Sequence, residues 1–147
     1  MNNLDFNSGV KTYKVNGGAE ISFNPTDANF IQSLYTTMED LEKASQDFEK
    51  RAAEVNEEDP VEIFKLAGEK DAVFREKINA LFPEEDACTA MFGKMHVDAL
   101  TDDGLPLWAN FLLAVLDACG GVAYDKLLAK GNAKINKYLN KYKKTKK

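Results

Sequence analysis

The stretch from Asn24 to Val55 constrains the fold of this chain most, because it carries one long helical pattern. Its start, Asn24-Pro25-Thr26-Asp27, combines a good N-cap, a proline suited to the first helical turn and a carboxylate for the positive end of the helix dipole. Thr26 or Asp27 is an alternative cap. Apolar residues then recur at alternating spacings of three and four, as in coiled coils. They are Ile31, Leu34, Met38, Leu41, Phe48, Ala52 and Val55, and Ser45 is the one polar interruption.

A second stretch repeats the same start chemistry at Asp59-Pro60-Val61-Glu62, after a short polar link. Two helices joined by about four residues fold back on each other, so residues 24–82 are predicted to form a long antiparallel helical hairpin. The two apolar stripes then bury against each other and the remaining helices, or part of one stripe stays open for a partner helix. The second stripe contains Ile63, Ala67, Phe74, Ile78 and Leu81, with Lys70 as a polar exception.

Residues 11–23 carry a β-hairpin signal. Two alternating segments, 11–15 and 19–23, flank Asn16-Gly17-Gly18, whose residues tolerate positive φ. The two glycines indicate a turn rather than a phosphate loop, because no Walker Lys-Ser/Thr follows them. A two-stranded hairpin is marginal alone. We therefore expect its larger side chains to pack on the helices or to pair with another chain: Tyr13, Val15, Ile21 and Phe23.

Shorter helices are predicted over 84–130. One helix runs from residue 84 to 92, a second from 106 to about 119, and helical pattern continues over 122–130. The second helix has a wide apolar face, which is typical of a central core helix. The alternative is an exposed partner-binding face, which Trp and Phe side chains suit. On that alternative Trp108, Phe111 and Leu112 are candidate binding residues.

The segment 131–147 is predicted to be a basic amphipathic helix or tail. All 24 acidic residues lie at or before Asp125 and nine lysines follow it, so residues 1–125, with the other ten basic residues, carry a formal charge of −14. The tail has three possible contacts: the chain's own acidic surface, an acidic partner or helix, or nucleic acid or membrane. An acidic body opposes binding of phosphates. The candidate binding residues of the tail are Lys137, Tyr138, Lys141, Tyr142, Lys143 and Lys144.

No constellation of residues indicates catalysis. His96 is the only histidine, and Cys88 and Cys119 lie 31 residues apart without a CxxC motif. The cysteines are expected to be free thiols of a reducing cytoplasm. The apolar run from Leu105 to Ala118 is too short to span a bilayer. We expect one mainly α domain over 1–147 that is not an enzyme, with no cofactor, no metal, no small-molecule substrate and no membrane partner.

The order of these features resembles a known family. The sequence VNGGAEISF of residues 15–23 runs directly into NPTDANF of residues 24–30, and an acidic helical hairpin, an aromatic late helix and a lysine-rich tail follow. This resembles the tail assembly chaperones of bacteriophages and prophages with long non-contractile tails. The order of elements agrees over most of the chain, whereas recognisable sequence similarity is confined to residues 15–30.

The resemblance implies a specific task. Such a chaperone binds the tape-measure protein, a long helical polypeptide, and keeps it soluble until tail-tube subunits polymerise around it. It acts in the cytoplasm of the bacterial host and is expected to be absent from the mature virion. The tail-tube subunit and a second copy of the chain are further expected partners. Two alternatives remain open: a structural tail or connector subunit that adds strands to its neighbours, and a regulator with a nucleic-acid-binding tail.

Overall fold

The computed structural model describes residues 1–120, Tyr138 and 140–142 of the 147-residue chain. It confirms the predicted mainly α fold with an N-terminal β-hairpin. Tyr138 and 140–142 are helical as well. The helical predictions for 122–130 and for the rest of 131–147 lie outside the described residues. The elements are β1 (Lys11–Lys14), β2 (Glu20–Phe23), α1 (Ala28–Ala53), α2 (Pro60–Asn79), α3 (Ala87–Phe92) and α4 (Leu107–Ala118).

The β-hairpin pairs β1 and β2 antiparallel, with Lys14 opposite Glu20. Its turn uses Asn16 at φ 51° and Gly17 at φ 75°, the left-handed conformations that the sequence predicted. The hairpin does not stand alone. The ring of Phe23 stacks on Tyr13 at 4.5 Å between centroids and on Phe30 at 4.7 Å. Since Phe30 belongs to α1, this aromatic stack fastens the hairpin to the first helix.

The N-cap of α1 is Asp27 rather than Asn24. The carboxylate of Asp27 accepts a hydrogen bond from the backbone N–H of Asn29 and caps the helix, as the alternative start allowed. Asn24 is engaged elsewhere. Its side-chain oxygen accepts from the N–H of Thr26, and its side-chain nitrogen donates to the carbonyl of Ser8. Asn24 therefore forms a turn before the helix, and α1 begins three residues later than it would with Asn24 as its cap.

The helices α1 and α2 form the antiparallel hairpin. Asp59 caps α2 by accepting from the N–H of Glu62, as predicted. Arg51, near the end of α1, lies 2.7 Å from the carboxylate of Glu69 in the first half of α2. At the opposite end Phe30 approaches Phe82, which follows α2, with 6.1 Å between ring centroids. Contacts at both ends can coexist only when the two helices run in opposite directions.

The two apolar stripes are buried over only part of their length. Far from the connecting loop they form the core, where Leu34 and Phe74 are fully buried. Near the loop Leu66 is buried in place of Ile63, whereas Val61 is 71% exposed and Phe64 73% exposed. The reason is that the aromatic contacts of the β-hairpin and of α4 fall on the other half of the helical hairpin. Of the two predicted arrangements, full burial of the stripes holds far from the loop, whereas near the loop Ile63 of the second stripe is 37% exposed.

The difference between the two halves of α2 can be measured. Phe74→Ala is expected to lower the free energy of unfolding by about 2–5 kcal/mol, because it leaves a cavity beside Trp108. Leu34→Ala on the facing helix should fall in the same range. Denaturant titration measures both values. Phe64→Ala is the matched control, because it removes the same side chain from an exposed site of the same helix and should change stability by no more than about 0.5 kcal/mol. Equal losses for Phe64→Ala and Phe74→Ala would contradict this core.

Candidate functional site

The helix α4 separates two different surfaces. On one side Trp108 and Leu112 are fully buried, and the ring of Trp108 meets Phe74 of α2 edge to face at 5.6 Å. On the other side Phe111 is partly buried and Ala114 is exposed. The prediction that Trp108 and Leu112 belong to a partner-binding face is therefore corrected, because both side chains are covered by the chain's own helices. Phe111 is the member of that predicted set that remains accessible.

The orientation of α4 is fixed at its first turn. Helix starts leave backbone N–H groups without partners, and no side chain caps this one. The N–H of Leu107 donates instead to the carbonyl of Ala99 at 2.8 Å, and that of Trp108 donates to the carbonyl of Val97 at 3.0 Å. These bonds hold α4 against the preceding loop and set which of its faces points inward.

The loop before α4 is fixed by a polar cluster. The side-chain nitrogen of Asn110 donates to the hydroxyl of Thr101 and, at 2.8 Å, to the carboxylate of Asp103. The same carboxylate accepts from the backbone N–H of Leu105 at 3.1 Å. Asp103 is thus held by several internal partners. It serves to hold the loop in place rather than to provide a free acid or base.

An apolar groove lies between the β-hairpin, α3 and the accessible face of α4, with a cavity volume of about 440 Å³. Ala114 and Ala118, one helical turn apart, are exposed and form its floor, so a second backbone can approach closely there. Lys14 is the charged side chain of the lining. The apolar walls come from Tyr13, Val15, Ile21, Phe23, Met91, Phe92, Met95, Leu107, Phe111 and Val115.

The walls of the apolar groove combine rigid and adaptable side chains. Phe111 is held between Phe82 at 5.9 Å and Phe92 at 5.6 Å, both edge to face. Met95 is 54% exposed at the rim, and Met91 lies beside it in the lining. Methionine fills irregular shapes and is common on surfaces that accept varied partners. The groove is therefore suited to take apolar side chains from an amphipathic segment.

The described part of the tail docks on the chain's own acidic body. Tyr138 is buried, and its hydroxyl donates to the carboxylate of Glu42, which is itself buried in α1. The ring of Tyr138 meets Trp108 edge to face at 5.6 Å. Burial, and then the hydrogen bond to Glu42, raise the pKa of Tyr138 above its ordinary value. Of the three contacts predicted for the tail, these residues make the first.

Two further tail residues extend this contact. The ammonium group of Lys141 donates to the carbonyl of Gly104 at 3.3 Å, and Tyr142 packs partly buried against the core. Burial, and then the nearby Asp103, raise the pKa of Tyr142. Tyr138 and Tyr142 therefore face the body of the chain. The other predicted tail residues, Lys137, Lys143 and Lys144, lie outside the described residues.

Both cysteines are at least partly buried, and the histidine is hydrogen-bonded within the chain. Burial raises the pKa of Cys88 to about 12 and that of Cys119 to about 11, so neither is a thiolate at neutral pH. His96 bridges two segments: its Nδ1 accepts from the N–H of Asp98, and its Nε2 then donates to the carbonyl of Ala67 at 2.8 Å.

Within residues 1–120, 138 and 140–142, no cluster of three His, Cys, Asp or Glu side chains is placed to hold a metal ion. No helix in this part of the chain is both long and apolar enough to cross a membrane.

Sequence reasoning found Phe111 but missed most of the apolar groove. In the sequence, Met91 and Met95 are typical of residues that fill gaps in a core, and Ala114 and Ala118 are small apolar residues that do not indicate a site. Their spacing, with Phe111 one turn before Ala114, is visible in the sequence as a narrow strip of one helix face. What the sequence does not show is that the β-hairpin stands beside that strip.

Comparison of the chain with protein-family models, with curated proteins and with solved structures finds no match. The functional interpretation therefore depends on the apolar groove, on the docked tail and on the resemblance of residues 15–30.

The docking of the tail can be tested through Trp108, the only tryptophan. Tyr138→Ala is expected to lower the free energy of unfolding by about 2–5 kcal/mol, because it opens a cavity on Trp108 and leaves the carboxylate of Glu42 buried without this donor. Water then reaches the indole, and the fluorescence emission of Trp108 shifts to longer wavelength. Asn140→Ala is the control, because Asn140 is an exposed residue of the same segment. An unshifted emission in Tyr138→Ala would show that the tail does not cover Trp108.

The raised pKa of Tyr138 predicts a pH dependence of known sign. An unfolded tyrosine loses its proton near pH 10, whereas folded Tyr138 keeps its proton to higher pH. Its contribution to stability is therefore complete below about pH 10 and is lost as the pH rises further. We expect the stability difference between the native chain and Tyr138→Phe to shrink above pH 10, as measured by denaturant titrations at several pH values. A difference that is constant from pH 8 to pH 11 would contradict this assignment.

Proposed function

We propose that this protein is a tail assembly chaperone of a bacteriophage or prophage with a long non-contractile tail. It binds the tape-measure protein and keeps it soluble before tail-tube subunits polymerise. The observation that carries the proposal is the apolar groove beside α4, with a floor of small residues and walls of methionine and aromatic side chains. The resemblance of residues 15–30 supplies the identity of the partner, and the groove supplies a physical means of holding it.

The chemistry of the groove favours an amphipathic helix as its ligand. A helix presents apolar side chains along one stripe, and Ala114 and Ala118 leave room for its backbone. Met91 and Met95 can adjust to different side chains, which suits a partner whose stripe varies along its length. The charge of −14 on residues 1–125 keeps the complex soluble and attracts basic segments of a partner.

The proposal is for binding without catalysis, in the cytoplasm of the bacterial host, by a protein that is absent from the finished virion. The absence of catalysis is supported by two potentially reactive side chains that are already occupied within the fold. The thiol of Cys88 is buried with a raised pKa, and Asp103 is held by Asn110 and Leu105. The tail-tube subunit is a further proposed partner, since it displaces the chaperone during polymerisation.

A second candidate, a structural tail or connector subunit, is favoured by one observation. The sheet has the order β1-β2, so within the described residues no strand pairs with the outer edge of β1. An open edge can take a strand from a neighbouring subunit. Mass spectrometry of purified virions separates the candidates. Stoichiometric amounts of this chain would favour the structural subunit, and its absence would favour the chaperone.

The chaperone proposal predicts a groove-dependent solubility effect. The chain is co-expressed with its proposed partner, the tape-measure protein of the same bacteriophage or prophage, and the soluble fraction of that protein is measured. Ala114→Arg is expected to lower this soluble fraction. The arginine side chain fills the floor of the groove and should weaken binding at least tenfold, which corresponds to about 1.4 kcal/mol. Ala114 is exposed, so the melting temperature should not change.

The matched control for this experiment is Ala53→Arg. It adds the same side chain at an exposed helical position outside the groove, so binding should be unchanged. If the co-expressed protein is insoluble with and without the native chain, the proposed function fails. If the two variants behave alike while the native chain solubilises its partner, the groove is not the binding site.

A further inference from the structure

The N-terminal arm, residues 1–10, has a strand-like pattern but forms no regular secondary structure. Leu4, Phe6 and Val10 recur with a period of two, with Ser8 in the remaining position of the series. Leu4 is 85% exposed, Phe6 78% and Val10 52%. Three large apolar side chains this close together form an exposed patch that another surface can cover.

The second observation is the difference between the two edges of the small sheet. The outer edge of β2 is covered, because the N–H of Ser22 donates to the carboxylate of Glu84 at 2.9 Å. Thr12 lies directly opposite Ser22. In an antiparallel pair of strands, two directly opposite residues point their backbone N–H and C=O groups either toward each other or away from each other. Since the N–H of Ser22 points away from β1, the N–H and C=O of Thr12 point away from β2. Among the described residues these outward groups of β1 have no strand partner.

The arm does not reach this edge in its own molecule. The side-chain nitrogen of Asn24 donates to the carbonyl of Ser8 at 3.0 Å. Asn24 directly follows β2, so the arm leaves β1 on the side of β2, opposite to the open edge. Gly9 has φ +73°, and a Cβ there would lie 2.8 Å from the side chain of Asn24, so the departure is closely packed. Only Gly9 and Val10 separate Ser8 from β1, too few to cross over the strand.

We propose that residues 4–7 of one copy add as a strand to the outer edge of β1 in a second copy, and that the exchange is reciprocal. Donor and acceptor lie on the same chain, so a two-fold dimer satisfies both arms and both edges with no other molecule. The charges are complementary: Asp5 is the acid of the arm, and Lys11 and Lys14 are exposed on β1. Strand alternation puts Leu4 and Phe6 on one face of the added strand and Asp5 on the other, as it puts Tyr13 and Lys14 on opposite faces of β1.

The dimer goes beyond the proposed function and is measured on the isolated full-length chain, so its failure and that of the chaperone proposal are distinguishable. Sedimentation equilibrium is expected to give a dimer for the native chain and a monomer for the double variant Leu4→Asp, Phe6→Asp. Both side chains are exposed, so the circular dichroism of the fold should be retained. The matched control is Asn2→Asp, Asn3→Asp, which adds the same charge to the same arm and should remain a dimer.

A charge exchange tests the acceptor edge. Lys11→Glu with Lys14→Glu is expected to weaken the dimer at least tenfold, and adding Asp5→Lys to that variant should restore most of the loss. A native chain that stays monomeric at its highest soluble concentration overturns the proposal. So does a dimer that the Leu4 and Phe6 substitutions leave intact. Dissociation of the Asn2, Asn3 control would attribute association to charge alone and would also overturn it.

Discussion

The burial of the inner face of α4 is the interaction on which the rest of this structure depends. Trp108 is fully enclosed between Phe74 of α2 and Tyr138 of the tail, and both contacts are edge to face at 5.6 Å. Aromatic side chains of this size dominate the apolar area that a small core removes from water. Because one face of α4 is committed inward, the opposite face is turned toward the β-hairpin. The apolar groove is thus a consequence of how the core is filled.

The acidic body and the basic tail are joined through a buried polar contact. Glu42 is only 5% exposed, and burying a carboxylate is costly unless it is hydrogen-bonded. The hydroxyl of Tyr138 provides such a bond, and its ring also closes the core over Trp108. Tyr138 is therefore part of the folded body. The groove face of α4 and the outer edge of β1 are among the surfaces that this docking leaves accessible.

The β-hairpin shows how a marginal element becomes useful. The aromatic stack of Tyr13, Phe23 and Phe30 supplies the packing that two strands lack alone. Glu84 lies in a segment that reads as the solvated start of a short helix, yet its carboxylate protects the β2 edge from another strand. The β1 edge is left open beside Lys11 and Lys14. One short element thus forms a wall of the groove and carries an edge available to another chain.

The sequence by itself determined the elements, because caps, prolines and apolar spacing act over a few residues. It placed the start of α2 at Asp59-Pro60, the turn at Asn16-Gly17 and the helical hairpin within residues 24–82. Only the tertiary structure decided which apolar residues are covered. Trp108 and Phe111 differ by three positions on one helix, and the sequence does not distinguish them. One is buried by Phe74 and Tyr138, which lie 34 and 30 residues away, and the other lines a groove, because burial is set by distant neighbours.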